Sequence, residues 1–505
     1  MSNCLFDALV RGRQAGNGEL FLKTNSAGPA TSLVDDQAFF SLTARIATVL
    51  RNTSVEPGDR VAVQIPKSIE ALAVYVACIR IGAVFLPLNT AYTESELAYF
   101  INDATPRVML IDPVNHEIGE RLVSAQRLFT LDGAGGGSLM LAASACLEMQ
   151  GAVDRQATDL AAILYTSGTT GRSKGAMLSH GNLLSNSLTL VDYWKFTASD
   201  VLLHALPIFH THGLFVASNI MLLSGGRMIF QSGFSTDTLL EAMPQATALM
   251  GVPTFYTRLL ADGRFTRKLA QPMRLFISGS APLLAETHRE FEERTGQKIL
   301  ERYGMTETNM NTSNPYSAER RAGTVGLALP GVEVRLLDPD TQVAVESGAV
   351  GMLQVRGPNV FKGYWQMPEK TREELLADGF FITGDLATID SDGYITIVGR
   401  SKDLIISGGY NIYPKELELL VDDLPGVLES AVIGIPDADF GESVVAVVVR
   451  DGSEAGQSLT IEGLQQSVSQ NLARFKQPRK VIFVKELPRN TMGKVQKNVL
   501  REHYS

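Results

Sequence analysis

Hydrophobic and polar residues follow two different periods between residues 60 and 111. Short apolar runs are typical of buried strands, and apolar residues at helical spacing are typical of helices. The pattern predicts five elements in order: a strand at 60–64, a helix at 69–81, a strand at 84–86, a helix at 94–103 and a strand at 108–111. Strands that alternate with helices indicate a parallel, doubly wound α/β sheet.

The same alternation begins again after Asp159. The pattern there predicts a strand at 161–165, a glycine-rich loop, a helix that begins near His180 and a strand at 201–205. We interpret this segment as the start of a second α/β unit.

The pattern changes twice in the last third of the chain. Between residues 323 and 361, short apolar runs separated by turn residues predict a small antiparallel sheet or β-barrel. After residue 403 the pattern predicts a helix at 415–424, strands at 430–435 and 443–450, a helix at 461–472 and a strand at 480–483. We therefore expect an α/β protein with a large N-terminal domain, residues 1–401, and a small α+β C-terminal domain, residues 402–505.

The composition is typical of a soluble α/β enzyme. Hydrophobic residues make up 45% and charged residues 20% of the 505 residues, and the formal net charge is -9. Because Lys and Arg form no dense cluster, we expect neither nucleic acid nor an anionic membrane as a partner. The most apolar stretch, residues 65–88, includes three charged residues, which favours a buried helix and strand over a membrane span.

Cysteine usage and the first residues bear on the compartment. Cys4, Cys78 and Cys146 lie far apart, without metal-ligand spacing, and are too few for a disulfide framework. The first ten residues lack a basic leader and a long apolar run. We expect a cytoplasmic protein that is a monomer or a weak homo-oligomer.

The glycine-rich loop between Thr166 and Gly175 is the first candidate site. Its glycines allow backbone N–H groups to approach phosphate oxygens, its hydroxyls add donors, and Lys174 adds a positive charge. It is not a Walker loop, because Ser173 stands where the Gly-Lys pair would begin. A flexible surface loop is the alternative, but the preceding apolar strand favours polyphosphate binding. The candidate residues are Thr166, Ser167, Gly168, Thr169, Thr170, Gly171 and Lys174.

This loop resembles that of the adenylate-forming superfamily, which includes acyl-CoA synthetases, firefly luciferases and peptide-synthetase adenylation domains. Five further motifs of the superfamily follow in order: Ser278-Gly-Ser-Ala-Pro282, Tyr303-Gly-Met-Thr-Glu307, Thr383-Gly-Asp385, Gly399-Arg400 and Pro488-Arg-Asn-Thr-Met-Gly-Lys494. The resemblance covers nearly the whole chain. It implies ATP-dependent activation of a carboxylic acid as an acyl-adenylate, followed by transfer of the acyl group to coenzyme A.

The resemblance also implies roles for individual residues. Thr306 contacts the α-phosphate, Glu307 holds Mg²⁺, and Asp385 accepts hydrogen bonds from the ribose hydroxyls. Lys494 is the catalytic cation of the adenylation step, although its charge alone would also suit a solvated lysine in a basic tail. The remaining nucleotide-binding residues implied are Gly279, Ser280, Ala281, Pro282, Glu301, Tyr303, Gly304, Met305 and Arg400.

A second group of implied roles concerns coenzyme A. In this superfamily the hinge between the two domains falls at Lys402, and the mobile C-terminal domain rotates to present Gly408, Gly409 and Tyr410 beside the pantetheine tunnel. Arg474 and Lys476 could meet the phosphates of coenzyme A, but surface lysines and arginines are common, and a solvated face explains them equally well.

Arg302 limits the range of carboxylic acids that we expect as substrates. An arginine beside the acyl site is costly against an apolar tail, because a buried, unpaired guanidinium is heavily desolvated. Its planar fork suits a second carboxylate, so we expect a short dicarboxylic acid, with malonate the simplest. One methyl group discriminates weakly, and methylmalonate therefore remains a near neighbour. The other residues expected around the acid are His210, Thr211, Ser280 and Met310.

With these residues the chain resembles the malonyl-CoA synthetases within the superfamily. Luciferases and peptide-synthetase domains share the adenylation half-reaction and stay formally open, as do two further alternatives. Arg302 could instead form an internal salt bridge with Glu301 or another acid, in which case the substrate would be a short monocarboxylic acid. The other alternative is a protein without catalytic activity that binds a nucleotide as a regulatory module. It is disfavoured because Glu307, Asp385 and Lys494 are all present.

Overall fold

The computed structural model describes residues 3–16, 18–23, 32–166, 173–339, 341–407, 410–437, 440–472, 474–490 and 494–505. Its strands form four sheets. Within the described ranges, the first sheet contains six strands in the order Leu128–Thr130, Val108–Ile111, Arg60–Gln64, Val84–Pro87, Leu160–Thr166 and Lys174–Ser179. Neighbours in it are parallel except for the last pair. The predicted doubly wound α/β fold is therefore confirmed.

The helix Ile69–Ile81 shows how local signals place an element. The Ser68 side chain accepts a hydrogen bond from the backbone N–H of Ala71 at the start, and Gly82 ends the helix with a φ of 73°. All of its residues except Glu70 and Arg80 are buried. The most apolar stretch of the sequence is thus a core helix. No helix in the described part of the chain is long and apolar enough to cross a membrane.

The second sheet, as far as the structure describes it, contains nine strands. Six central strands are parallel and the edges are antiparallel. Their order is Leu327–Ala328, Asn309–Ser313, Leu300–Met305, Leu275–Ser278, Ala248–Gly251, Val201–His204, Arg227–Phe230, Glu19–Lys23 and Ser32–Asp35.

The predicted start of the second α/β unit is wrong. The strands Leu160–Thr166 and Lys174–Ser179 complete the first sheet, whereas Glu19–Lys23 and Ser32–Asp35 join the second. The glycine-rich loop therefore connects two antiparallel strands, and the helix His180–Tyr193 begins only after the second of them. Pairing between strands distant in sequence decides these points, and hydrophobic periodicity carries no information about it.

The third and fourth sheets lie in the last third of the chain. The third is antiparallel and contains the strands Glu333–Leu337, Gly351–Arg356, Phe381–Ile389 and Ile395–Arg400. Its first two strands lie in the segment 323–361 for which a small antiparallel sheet was predicted, and its last two lie beyond that segment. The fourth contains Tyr410–Ile412, Ile405–Ser407, Gly441–Arg450, Val427–Asp437 and Lys480–Val484. Apolar residues between 405 and 504 pack into clusters of their own. A domain boundary at residue 402 stays a prediction.

Helices alternate with the strands along much of the chain. Besides Ile69–Ile81 and His180–Tyr193, the α-helices are Cys4–Gln14, Asp36–Asn52, Glu94–Ala104, His116–Leu122, Ser138–Ser144, Asn219–Ser224, Thr236–Ala242, Pro253–Ala261, Arg267–Ala270, Ala285–Thr295, Pro368–Glu374, Pro414–Asp422, Glu454–Ser458, Ile461–Asn471 and Lys497–Tyr504. His212–Ser218 is a π-helix. Short 3₁₀ turns are Pro113–Asn115, Ala125–Arg127, Met243–Gln245, Ser401–Asp403 and Arg474–Lys476.

Candidate active site

Several predicted residues lie outside the described residues, and their roles stay predictions. They are Ser167, Gly168, Thr169, Thr170, Gly171, Gly408 and Gly409. The flanks of the glycine-rich loop are described: Thr166 and Lys174 pair across the two antiparallel strands, and the Thr166 hydroxyl donates to the Lys174 carbonyl over 3.4 Å.

The Lys174 ammonium contacts two side chains from a distant segment. Its Nζ lies 3.2 Å from the Tyr364 hydroxyl and 3.2 and 3.3 Å from the two Glu374 carboxylate oxygens. It also lies 4.2 Å from the centre of the Tyr364 ring. The predicted phosphate-binding lysine is thus held by an acid and a phenol at the base of the loop.

Glu307 lies beside this cluster. It is buried, and the Tyr364 hydroxyl lies 3.1 Å from its Oε1. Burial raises the pKa of the Glu307 carboxyl, while the Lys174 charge opposes that shift. Thr306 precedes it in the turn between the strands Leu300–Met305 and Asn309–Ser313. Mg²⁺ is usually bound by one or two carboxylates together with phosphate oxygens, so a single buried carboxylate beside the predicted phosphate-binding lysine fits it.

Asp385, Tyr303 and Arg400 form a second polar cluster. The Tyr303 hydroxyl donates to Asp385 Oδ2 over 2.5 Å, and Arg400 Nε lies 2.9 Å from Asp385 Oδ1. The Asp385 carboxylate raises the pKa of Arg400, and burial together with Asp385 holds the pKa of Tyr303 well above its usual value. The cluster joins three of the predicted motifs, and Tyr303 and Asp385 lie 82 residues apart in the sequence. Its carboxylate can accept hydrogen bonds from a ribose.

The small residues of the predicted adenine strip follow the strand Leu275–Ser278. Ser280, with Gly279 before it and Ala281 and Pro282 after it, has a left-handed φ of 71°. Its hydroxyl lies 3.2 Å from His212 Nδ1. A non-glycine residue in this conformation is strained, and such strain persists where surrounding contacts hold it.

Glycine is required at position 304 by close packing, because a Cβ there would lie 1.8 Å from the Asn309 carbonyl. Met305 follows, with its sulfur 3.9 Å from the Tyr303 hydroxyl. Earlier in the same strand, buried Glu301 accepts a hydrogen bond from the Leu283 N–H over 3.3 Å. Burial raises the pKa of Glu301 to about 8.

Arg302 is buried and has no counter-ion among the residues that the structure describes. Its exposed fraction is 3%, and neither Nε nor Nη2 has a hydrogen-bond partner among the described residues. No carboxylate of the described chain lies within ion-pair distance of it, so the structure gives no support to an internal salt bridge with Glu301. Burial lowers the pKa of the Arg302 guanidinium to about 9, which leaves it charged at neutral pH.

His210 links the predicted acid site to the C-terminal part of the chain. Protein atoms enclose most of its ring, and this desolvation lowers the pKa of His210 to about 4. The positive charges of Arg302 and Lys494 act in the same direction, which places all three residues close together. His210 is therefore neutral at neutral pH.

The other predicted acid-site residues are well buried. The Thr211 hydroxyl donates to Asn309 Oδ1 over 2.7 Å, and Met310 is fully buried beside them. His212 Nε2 and Asn309 Nδ2 have no hydrogen-bond partner within the described ranges. Buried polar atoms of this kind usually find a partner, and a bound polar ligand would supply one.

Lys494 differs from the other basic residues of its segment. Lys497 pairs with Glu418 at 2.5 Å and Arg501 with Asp403 at 2.7 Å, whereas Lys494 has no such ion pair in the described chain. The residue is exposed on the surface, yet desolvation at its ammonium lowers the pKa of Lys494 to about 8, and the Arg400 charge adds to the shift. The charged surroundings of Lys494 therefore differ from those of its basic neighbours, and its catalytic role stays a prediction.

The residues predicted for the hinge and for coenzyme A are more dispersed. Lys402 lies in the turn Ser401–Asp403, where burial and then the Arg400 charge lower its pKa. Tyr410 begins the strand Tyr410–Ile412. Arg474 is exposed, and Lys476 bonds both Glu416 oxygens at 2.7 and 2.8 Å.

Sequence reasoning missed two side chains that contact Lys174: Tyr364 and Glu374. The Lys174 contacts span 190 and 200 residues of sequence. The only sequence signal is a tyrosine after Gly363, together with a glutamate in the helix Pro368–Glu374 that follows. Neither residue type is unusual in those settings, so the pattern alone would not have identified them.

Comparison with known proteins adds independent information. A model of the AMP-binding enzyme family matches residues 37–365, and a model of the AMP-binding enzyme C-terminal domain matches residues 416–494. The malonate–CoA ligase of Arabidopsis thaliana is 34% identical over 479 residues, which cover 88% of this chain and 78% of that protein. The feruloyl-CoA synthase of an Amycolatopsis species is 37% identical over 467 residues, covering 91% and 92%. The crystal structure of ATP-bound MatB from Rhodopseudomonas palustris matches with a TM-score of 0.95 and 55% identity, covering 100% of this chain and 99% of that one.

Proposed function

Because the chain belongs to the AMP-binding enzyme family and is an AMP-forming acid–CoA ligase, we propose that its acid substrate is malonate. In the first half-reaction a malonate oxygen attacks the α-phosphorus of ATP, giving malonyl-adenylate and pyrophosphate. In the second, the thiolate of coenzyme A attacks the acyl carbon and AMP leaves. The overall change is malonate + ATP + coenzyme A → malonyl-CoA + AMP + pyrophosphate.

The buried, unpaired guanidinium of Arg302 carries this proposal. A second carboxylate on the substrate supplies the counter-ion that the described chain lacks, and an arginine fork can bind it through two parallel hydrogen bonds. An aromatic or aliphatic tail would leave the charge desolvated and unpaired. Related proteins are named for both malonate and an aromatic acid, so Arg302 is the feature that favours malonate in this chain.

The surrounding residues support a small, polar acid. His210 is neutral and can donate or accept one hydrogen bond, and Asn309 Nδ2 and His212 Nε2 lack partners among the described residues. Methylmalonate differs by a single methyl group, which an apolar wall discriminates by only about 1–3 kcal/mol. We expect it to be a slower substrate.

We assign the adenylation chemistry to four side chains. Lys494 offsets the negative charge that develops between the carboxylate and the α-phosphate, and its proximity to His210 and Arg302 puts it near the acid. Thr306 donates to the α-phosphate, and Asp385 holds the ribose. Glu307 would hold Mg²⁺, which supplies charge neutralisation at the phosphate oxygens.

We assign the thioester step to movement of a C-terminal domain that begins at Lys402. Rotation there removes Lys494 from the acid and brings the segment that starts at Gly408 and Gly409, with Tyr410, to the same place. Arg474 is exposed and available to a phosphate of coenzyme A. Lys476 is already paired with Glu416, so we expect it to contribute less.

Replacing Arg302 tests the acid assignment. We expect Arg302→Gly to abolish ATP–pyrophosphate exchange with malonate and to spare or improve exchange with butyrate. Arg302→Lys keeps the charge but loses the fork, so it should retain a small part of the malonate activity. Affinity for ATP, measured by calorimetry, should stay unchanged and serves as the control for folding. Malonate activity retained in Arg302→Gly would favour the monocarboxylic-acid alternative.

A further inference from the structure

The Lys174 ammonium has a built-in anionic partner in Glu374. Both Glu374 oxygens lie within 3.3 Å of Lys174 Nζ, and the two side chains are only 13% and 22% exposed. The Tyr364 hydroxyl donates to Glu374 over 2.6 Å and receives the ammonium at 3.2 Å. The lysine is therefore neutralised by the protein before any phosphate is present.

Backbone contacts hold this partner at a fixed place. The Trp365 N–H donates to the Gly175 carbonyl over 2.7 Å, and Met177 exchanges hydrogen bonds with residues 362 and 363. The Thr371 hydroxyl oxygen accepts a hydrogen bond from the Tyr364 N–H over 2.9 Å, which ties the helix Pro368–Glu374 to the segment that holds Tyr364. The ion pair is consequently part of the fold and is more than a chance surface contact.

A triphosphate and Glu374 compete for the same cation. An ammonium has three donors, and here they face the Tyr364 hydroxyl and the Glu374 carboxylate. When Lys174 turns to a phosphate oxygen it must leave Glu374, because a carboxylate and a phosphate on one ammonium would bring two anions together. Part of the phosphate binding energy is spent on breaking the ion pair.

We propose that Glu374 is an internal competitor of the phosphates for Lys174: it holds the ammonium before ATP binds and recaptures it as pyrophosphate leaves. This inference rests on the proposed function only in that Lys174 meets the phosphates. Competition from Glu374 makes the enzyme bind both ATP and pyrophosphate more weakly than it would with a free Lys174 ammonium. Weaker retention of pyrophosphate favours forward reaction, because pyrophosphate is released while the adenylate stays bound.

The size of the effect follows from the ion pair. If Lys174 is released from Glu374 in only a fraction of the free molecules, the apparent affinity for ATP is reduced by that fraction. Partly exposed pairs shift such equilibria by a modest factor, about threefold to tenfold. Glu374 also contacts Lys370 at 3.0 Å, but Lys370 keeps a second partner in Glu373 at 2.8 Å.

The variant Glu374→Gln keeps the size of the side chain and removes its charge. We expect it to lower the Kd of ATP and the inhibition constant of pyrophosphate together, by about threefold to tenfold. General damage to the site would weaken the binding of ATP and pyrophosphate, whereas loss of the competing carboxylate should strengthen it. The direction of the change therefore distinguishes the two causes. Glu373→Gln is the matched control, because Glu373 is exposed and contacts Lys370 instead of Lys174, and it should change neither constant.

A double variant isolates the lysine. In a Lys174→Met background, the further change Glu374→Gln should have no effect on ATP affinity, because the contested cation is gone. Unchanged or weaker ATP and pyrophosphate binding in Glu374→Gln would overturn the inference, as would equal tightening with and without Lys174. If instead no variant and not even the native chain binds ATP, the proposed function has failed, and that result is distinct from a failure of the competition.

Discussion

Gly279→Ala displaces Arg302 without touching its chemistry. A Cβ at position 279 would lie 2.5 Å from Arg302 Cζ, 2.6 Å from Nε and 2.7 Å from Nη1. Carbon atoms in contact normally lie about 3.5–4.0 Å apart, so the guanidinium must move by about 1 Å. Because the atoms that clash are the far end of a side chain, we expect the protein to fold and the arginine to shift.

The displacement should cost one of the two hydrogen bonds between the guanidinium and the distal carboxylate. A hydrogen bond to a charged group contributes about 1.5–3 kcal/mol. Since about 1.4 kcal/mol corresponds to a factor of ten, kcat/KM for malonate should fall by about 10-fold to 150-fold. The loss should be in KM more than in kcat, because the distal carboxylate does not react.

Initial rates of malonyl-CoA formation at varied malonate measure this effect. Gly233→Ala is the control, because no atom lies within 4 Å of a Cβ at that position. The Kd of ATP must be measured alongside, since Gly279 also belongs to the predicted adenine strip. A malonate kcat/KM within twofold of the native value, or a loss matched by an equal loss of ATP affinity, would refute the assignment of Arg302 to the acid.

Three further changes test other parts of the structure. Lys402→Pro should slow thioester formation more than adenylation in single-turnover measurements, because proline restricts backbone rotation at the hinge; equal slowing would contradict a hinge there. Lys494 has a pKa lowered to about 8, so its ammonium is present below that pH, and the adenylation rate should decline as pH rises through about 8 in the native enzyme but not in Lys494→Arg. Asn182→Ala removes two buried hydrogen bonds, to the carbonyls of Pro358 and Val360 at 2.7 and 2.8 Å, and should reduce the free energy of unfolding by about 2–4 kcal/mol in urea titrations; a change below 0.5 kcal/mol would be inconsistent.

Much of the fold was predictable where local signals are strong. The strand Arg60–Gln64 and the helix Ile69–Ile81 have the predicted bounds, because a serine cap, a left-handed glycine and an unbroken apolar run all act within a few residues. The strand Lys174–Ser179 was not predicted. It follows a glycine-rich loop, and its partner is the preceding strand Leu160–Thr166, so only the hairpin pairing defines it.

The membership of strands in sheets was not predictable in the same way. The strands Glu19–Lys23 and Ser32–Asp35 precede the first sheet in sequence but lie at the edge of the second, beside Arg227–Phe230. That contact joins residues about two hundred positions apart. Periodicity reports which face of a strand is buried and says nothing about the neighbour that buries it.

The residues of the candidate active site also differ in whether the sequence alone could identify them. Arg302 was identified because an arginine in that motif conflicts with an apolar acid, and its isolation in the structure sharpens the argument. Tyr364 and Glu374 were missed because their relation to Lys174 exists only in three dimensions. Burial lowers the pKa of His210 and so keeps the ring neutral. The extent of that burial cannot be predicted from the neighbouring residues in the sequence.

The most direct measurement is ATP–pyrophosphate exchange by the native chain with malonate, in the absence of coenzyme A, followed by mass spectrometry of the product once coenzyme A is added. We predict malonate-dependent exchange that exceeds the exchange with butyrate or ferulate, and then malonyl-CoA and AMP in equal amounts. Exchange that is absent with malonate but present with a monocarboxylic acid would contradict the role given to Arg302.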